Sequence, residues 1–204
     1  MSVNFIHLKV HTEFSLTNGL VRIKPLIAKS LSENIPAIAI TDQSNLCALV
    51  KFYKSTRGAG IKPIIGVDIW VENEAEPKNP HRMTLLAKND LGYRNITVLV
   101  SQAFTEGQFL GKAVVKREWL VDKAEGLLVL SGAKDGDVGR ALLNGKLDVA
   151  AERARFWMGV FPDSFYLELQ RTSRAGDEEC VHLSVQLAQD LNCPVVATND
   201  VQFL

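Results

Sequence analysis

Three cysteines in 204 residues, Cys47, Cys180 and Cys193, are odd in number and lack CxxC spacing. They argue against a disulfide framework and for a reducing cytoplasm. No apolar run reaches the ~18 residues a membrane span needs, and the N-terminus lacks the charged-then-apolar region of a secretory signal. Charge of one sign is also missing. Lys plus Arg and Asp plus Glu number 23 each, so no global field favours a polyanion, and binding DNA by bulk charge is not indicated. Internal repeats and low-complexity tracts are absent. What remains is a globular composition, 47% hydrophobic, with length for a full core in one domain.

Short β-branched apolar runs alternate with longer amphipathic stretches, the pattern of βαβ units around a parallel sheet or barrel. Strands are predicted at residues 5–12, 36–40, 62–71, 82–87, 127–130, 165–169 and 194–198. Helical spacing runs over 25–33, 45–57, 93–104, 138–143, 147–160 and 177–191. Residues 72–81 read as a loop, and 107–111 as a flexible connection. In the first strand Lys9 and His11 project on one face, because side chains alternate with a period of two. The chain stops at Phe203-Leu204, a few residues past an apolar strand, which suggests a fragment of a longer protein.

Three motifs have ordinary readings. Gly58-x-Gly60 follows a helix and precedes a strand, the reverse of a dinucleotide fingerprint, and so reads as a helix end. Cys180 and His182 lie i and i+2 on a helix and cannot pair as nucleophile and base. Lys51-Phe52-Tyr53-Lys54 with Arg57 mixes stacking and basic groups, but on a helix it reads as a core edge beside a solvated face. More informative are His11, Asp42, Asp68 and Asp200, all at or just beyond strand ends, where a (β/α) barrel gathers its reactive groups. Asp42, before Ser44-Asn45, also fits a helix cap.

Six ordered stretches carry a family resemblance: His7-Leu8-Lys9-Val10-His11 with Ser15-Leu16-Thr17-Asn18-Gly19, Ala37-Ile38-Ala39-Ile40-Thr41-Asp42, Gly60-Ile61-Lys62-Pro63-Ile64-Ile65-Gly66, Leu85-Leu86-Ala87-Lys88-Asn89, Leu130-Ser131-Gly132 and Val196-Ala197-Thr198-Asn199-Asp200. Over essentially its whole length, 1–204, the chain resembles the N-terminal polymerase-and-histidinol-phosphatase (PHP) domain of bacterial DNA polymerase III alpha subunits. The resemblance implies an α/β fold, a distorted (β/α)7 barrel with mostly parallel strands. It also implies a site where metal-bearing members assemble His and acidic ligands around zinc, manganese or iron, which activate water against phosphate esters.

Carried over residue by residue, that ligand set is degenerate here. Lys9 stands at a His position, Asn18 where Asp or His is usual, Gln43 where His follows Thr-Asp, and Asp68 at a Glu position. Arg82 stands at a His position one residue from His81, Ala133 where Cys or His is common, and Gln202 at the final His; His11 and Asp200 are kept. Protonated Lys9 and Arg82 offer a metal no lone pair and repel a divalent ion. The expectation is therefore no metal and no catalytic residue in this domain, with Lys9 or Arg82 neutralising Asp68 and Asp200, because unpaired buried carboxylates are costly.

The implied role is a structural and docking domain of a cytoplasmic replicative polymerase, without membrane contact. Its Mg2+-dependent nucleotidyl transfer would lie beyond Leu204, and a separate proofreading exonuclease subunit would dock on it. Other partners implied are the remaining polymerase domains and, through the parent chain, the sliding clamp, with DNA held mainly by other domains. The alternative is an active metal-dependent phosphoesterase or 3′–5′ exonuclease, against which the ligand count speaks: His11, Asp68 and Asp200, with Asp42 as a candidate fourth, suffice for one weakly held ion but not for a cluster.

Overall fold

The computed structural model describes residues 5–204. In chain order the elements are α1 (Ile23–Ser32), β1 (Ala37–Ile40), α2 (Leu49–Gly58), β2 (Lys62–Val71), β3 (His81–Ala87), α3 (Asp90–Thr105), β4 (Gln108–Phe109), β5 (Lys112–Val115), α4 (Arg117–Asp122), β6 (Leu127–Leu130), α5 (Asp137–Leu143), α6 (Leu147–Val160), β7 (Phe165–Gln170), α7 (Asp177–Leu191) and β8 (Val195–Thr198). Short 3-10 turns at Glu13–Asn18 and Ala133–Asp135 supplement them.

The strands form an incomplete ring that the N-terminal segment closes. β1 runs parallel to the first half of β2, β2 antiparallel to β3, and β3 antiparallel to β6; β6, β7 and β8 then follow in parallel. On one side of residues 7–11, Ala39 N donates to His7 O and Thr41 N to Val10 O, both at 2.9 Å. On the other side Val10 bridges Val201 in parallel, and His11 N donates to Val201 O at 2.9 Å. Seven staves result, of which β3 alone runs against both neighbours, so the architecture is the α/β barrel that the resemblance implied.

Several local expectations are corrected. Residues 5–12 do not form a regular ladder strand; they are held by isolated bridges at Val10 and Thr12 and by single backbone hydrogen bonds to β1 and to Val201, and the chain turns into the 3-10 helix after Thr12. The helix expected from Asn45 begins at Leu49. Asn45 instead donates from Nδ2 to Phe14 O and Gln43 O and accepts the Cys47 amide, a local side-chain turn that competes with helix. Residues 107–111 are a β4–β5 hairpin rather than a loose connection. Leu110 and Gly111 have φ of 48° and 77°, the paired positive values that a tight primed turn requires.

Strand alternation separates two environments. Val67, Ile69 and Val71 of β2 and Met83 and Leu85 of β3 pack outward with Ile96, Leu99, Leu120 and Trp157 in the largest core cluster. A second cluster joins Val10, Ile23, Leu26, Ile38, Ile40 and Phe52 between the N-terminal segment, β1, α1 and α2. The intervening residues of β2 and β3, Asp68, Arg82 and Thr84, take the opposite face, where the polar site forms.

Candidate functional site

Asp68 is the centre of the site and is fully buried. The β2–β3 register sets Thr84 opposite it, and Thr84 Oγ1 donates to Oδ1 at 3.1 Å. Three nitrogens converge on the other carboxylate oxygen, Oδ2: Arg82 Nη2 in direct contact, His11 Nε2 at 3.1 Å and Lys9 Nζ at 3.5 Å. Lys9 is only 2% exposed, an unusual depth for an ammonium without paired charge. Its second partner is Glu168 on β7, with Nζ to Oε1 at 3.8 Å.

Glu168 is missing from the set read in the sequence, although it is 1% exposed. Its carboxylate accepts from Gly132 N at 3.0 Å, Gln170 Nε2 at 2.8 Å and Thr198 Oγ1 at 2.5 Å. Gly132 makes its contact at φ 82°, a left-handed value that a glycine adopts without steric cost. A signal existed in the alternation of residues 165–170. Phe165 and Leu167 face the core, which leaves Glu168 on the barrel side.

Asp200 lies at the edge of this network with its side chain 3% exposed. Its direct ion pair is with Arg174, Nη1 to Oδ2 at 2.9 Å, and Gln202 Nε2 donates to the same oxygen at 2.8 Å. Lys9 and Arg82, expected to neutralise both carboxylates, make no direct ion pair with Asp200, although Lys9 is the largest charge favouring its ionised form. Those two cations contact Asp68 and act on Asp200 only through space. Arg174, in the loop between β7 and α7, carried no periodic or motif signal.

Asp42 serves neither as a helix cap nor as a member of the charged cluster. Its carboxylate accepts from Thr12 N at 2.6 Å, from Thr12 Oγ1 and from Ser15 Oγ at 2.6 Å, and so clasps the loop after the N-terminal segment. Gln43 donates to the backbone oxygen of Asp68 at 3.0 Å rather than to its carboxylate. Asn18 ends the first 3-10 turn and makes no hydrogen bond to Asp68, and Ala133 is buried where the second begins. Cys180 faces Ser184, at 3.9 Å between Sγ and Oγ, while His182 meets Glu178 O, so the two do not pair.

The electrostatics follow from geometry. Burial pushes the Asp68 carboxyl up, but Arg82, Lys9 and the His11 hydrogen bond together outweigh it and hold the group well below the usual carboxylate range. Burial likewise opposes ionisation of Asp200, and Lys9, the Arg174 hydrogen bond and Arg82 reverse it. Arg82 is itself raised: desolvation is outweighed by Asp68 and Asp200.

These residues do not fit the metal cluster of the resemblance. Among the described residues no group of three or more His, Cys, Asp or Glu side chains is placed to hold a metal ion. The one central carboxylate oxygen already meets a guanidinium and an ammonium, cations that neither coordinate while protonated nor tolerate a divalent neighbour. Arranged this way, the side chains can hold strands together by charge, and among the described residues they form no set of metal donors.

A family model described as PHP domain matches residues 7–172. The chain is 53% identical over 204 residues to the DNA polymerase III subunit alpha of Pseudomonas aeruginosa and 44% identical over 200 residues to that of Escherichia coli K12. It is covered over 100% and 98% of its own length, respectively, and spans 17% of the length of each relative. Among solved structures, a putative metal-dependent phosphoesterase from Bifidobacterium adolescentis superposes with TM-score 0.61 at 14% identity, covering 98% of this chain and 88% of its own. An amidohydrolase from Chromobacterium violaceum, with bound sulfate and no metal, gives TM-score 0.64 at 12% identity and covers 97% and 87%. At such identities these structures speak to the fold, which they share. With its strand ring, its polar centre at Asp68 and a family model matching most of its length, the chain belongs to the PHP domain family.

Proposed function

We propose that this chain is the N-terminal PHP domain of a bacterial DNA polymerase III alpha subunit, a DNA-directed DNA polymerase, and that it acts there as a structural and docking domain. Support for the parent protein comes from the relatives that match the chain end to end. The silent site rests on one observation: two protein cations and His11 crowd a single oxygen of Asp68. In this reading the domain needs no cofactor, and the parent's Mg2+-dependent nucleotidyl transfer belongs to other segments.

Its proposed partners are the remaining polymerase domains, the proofreading exonuclease subunit and, through the parent chain, the sliding clamp. DNA is held mainly elsewhere. The proposed location is the cytoplasm; no helix among the described residues is long and apolar enough to cross a membrane.

Elemental analysis of the purified chain, with exonuclease and phosphatase assays under added manganese or zinc, tests the silent site. No stoichiometric metal and no turnover are expected. Saturable metal-dependent turnover that Asp68→Asn abolishes would favour the phosphoesterase reading instead. Titrating the full polymerase with the exonuclease subunit, with and without residues 1–204, tests docking. Unchanged affinity after the deletion would remove that role.

A further inference from the structure

A second polar cavity lies outside the barrel, on the other face of β3 from the charged cluster. It has a volume of about 210 Å3, and its walls include Glu72, His81, Arg117, Asp137, Arg153 and Trp157. Because β3 alternates, His81 and Met83 face it while Arg82 and Thr84 face Asp68. The cavity therefore shares no side chain with the site described above.

Among the described residues its cations make no ion pair at contact distance, and Arg153 and Arg117 act on the buried Asp137 carboxylate only through space. The Arg117 guanidinium stacks 3.6 Å above the Phe156 ring and 5.4 Å from that of Trp157, yet it enters no ion pair among the described residues, and its buried Nε finds no acceptor there. Arg153 likewise lacks an ion-pair partner, and its Nη1 donates to the backbone oxygen of Asp137 at 2.8 Å. His81 is 7% exposed, and its Nδ1 is buried without a hydrogen-bond partner among the described residues. A buried polar nitrogen left unpaired costs roughly 1–3 kcal/mol, so the Arg117 Nε–H asks for an acceptor, and His81 Nδ1 for a partner set by its tautomer.

The acidic groups of the cavity are already engaged or lie at its mouth. Asp137 accepts from Trp157 Nε1 at 2.7 Å and from Val138 N at 2.8 Å, and Glu72 accepts the Arg117 amide at 2.6 Å. Glu74 is exposed to solvent, where its charge is screened. At His81 the field is net positive: after burial, Arg140 and Arg153 lower its pKa against the weaker opposing charge of Glu76.

We infer that this cavity binds a small oxyanion, a carboxylate or phosphate group held in the fork of Arg117 and by Arg153, with His81 as a further polar contact. A guanidinium pre-oriented by stacking loses little freedom on pairing, which suits planar two-point recognition of such a group. The inference is independent of the polymerase assignment.

Hydrogen exchange read by mass spectrometry on the full-length chain tests it, with inorganic phosphate and citrate as probes at constant ionic strength. Saturable slowing at residues 72–79 and 137–143 is expected, about tenfold when free probe is ten times its dissociation constant. Arg117→Gln and Arg153→Gln should each abolish it, while Arg155→Gln, at an exposed position on α6, should retain it. Slowing by phosphate alone identifies a phosphate site, and slowing by citrate alone a carboxylate site. No slowing by either probe, equal slowing by chloride, or slowing that survives both Arg117→Gln and Arg153→Gln would overturn the inference.

Discussion

Lys9 Nζ lies 3.8 Å from Glu168 Oε1 while also lying 3.5 Å from Asp68 Oδ2, so one buried ammonium ties β7 to β2 across the barrel. The two carboxylates come from strands that are not neighbours in the ring, and the N-terminal segment supplies the cation between them. Lys9→Met should therefore leave Glu168 without its cation and Asp68 with Arg82 alone. Chemical denaturation is expected to show a loss of about 3–5 kcal/mol, the usual cost of removing one partner from a buried pair. Adding Glu168→Gln to Lys9→Met should recover part of that loss, and additive losses would mean that the two groups are not coupled.

Exchanging the cations for neutral donors should reverse the site's character. With Lys9→His and Arg82→His together, two imidazoles join His11 and Asp68 within one pocket. That donor set suits zinc. Elemental analysis should find zinc in the double variant, and zinc should raise its melting temperature without moving that of the unaltered chain.

Acid should destabilise the fold in two stages. His81 is pushed down to about 4 from 6.5 by burial and by Arg140 and Arg153, so between those values the unfolded chain binds the extra proton. Through His81, stability then falls with decreasing pH across that window by at most about 1.4 kcal/mol per pH unit, and His7, also lowered by burial, adds a loss of the same sign. Below the ordinary carboxylate value of 3.8, Asp68 adds a second loss of the same sign, because its folded pKa is depressed. Denaturation midpoints followed from pH 7 to 3 check this, and His81→Phe should reduce the slope of the upper stage while leaving the lower one.

The Asp42 clasp should matter to one loop more than to the whole. Asp42→Asn keeps shape but replaces an oxygen acceptor by a donor facing Thr12 and Ser15. A cost of roughly 1–3 kcal/mol is expected. Faster hydrogen exchange should appear at residues 12–19, with the β2–β3 ladder unaffected.

The succession of apolar runs and amphipathic stretches reflects local chemistry, so β2, β6, α6 and α7 were legible with boundaries close to those observed. His11 was legible as a polar residue at the end of an apolar stretch, whereas Asp68, expected at a strand end, lies inside β2 and stands out as a carboxylate interrupting an apolar run. The β4–β5 hairpin escaped because its turn uses Leu110-Gly111, a weak match to the usual Asn-Gly signal. Residues 5–12 were apolar enough for a strand, but their pairing depends on the distant Val201 segment.

By itself the sequence determined the alternation of elements and the faces that Lys9 and His11 share, since each depends on residue type and short-range spacing, whereas the reading of Lys9, Arg82 and Ala133 as standing at donor positions came from the family resemblance. Only tertiary structure decided which charge meets which. Glu168 takes Lys9 because ring closure brings β7 within reach of the N-terminal segment, and Asp200 takes Arg174 because the loop after β7 folds over it. Coulomb attraction falls off with distance in space, not along the chain, and these pairs are separated by many residues.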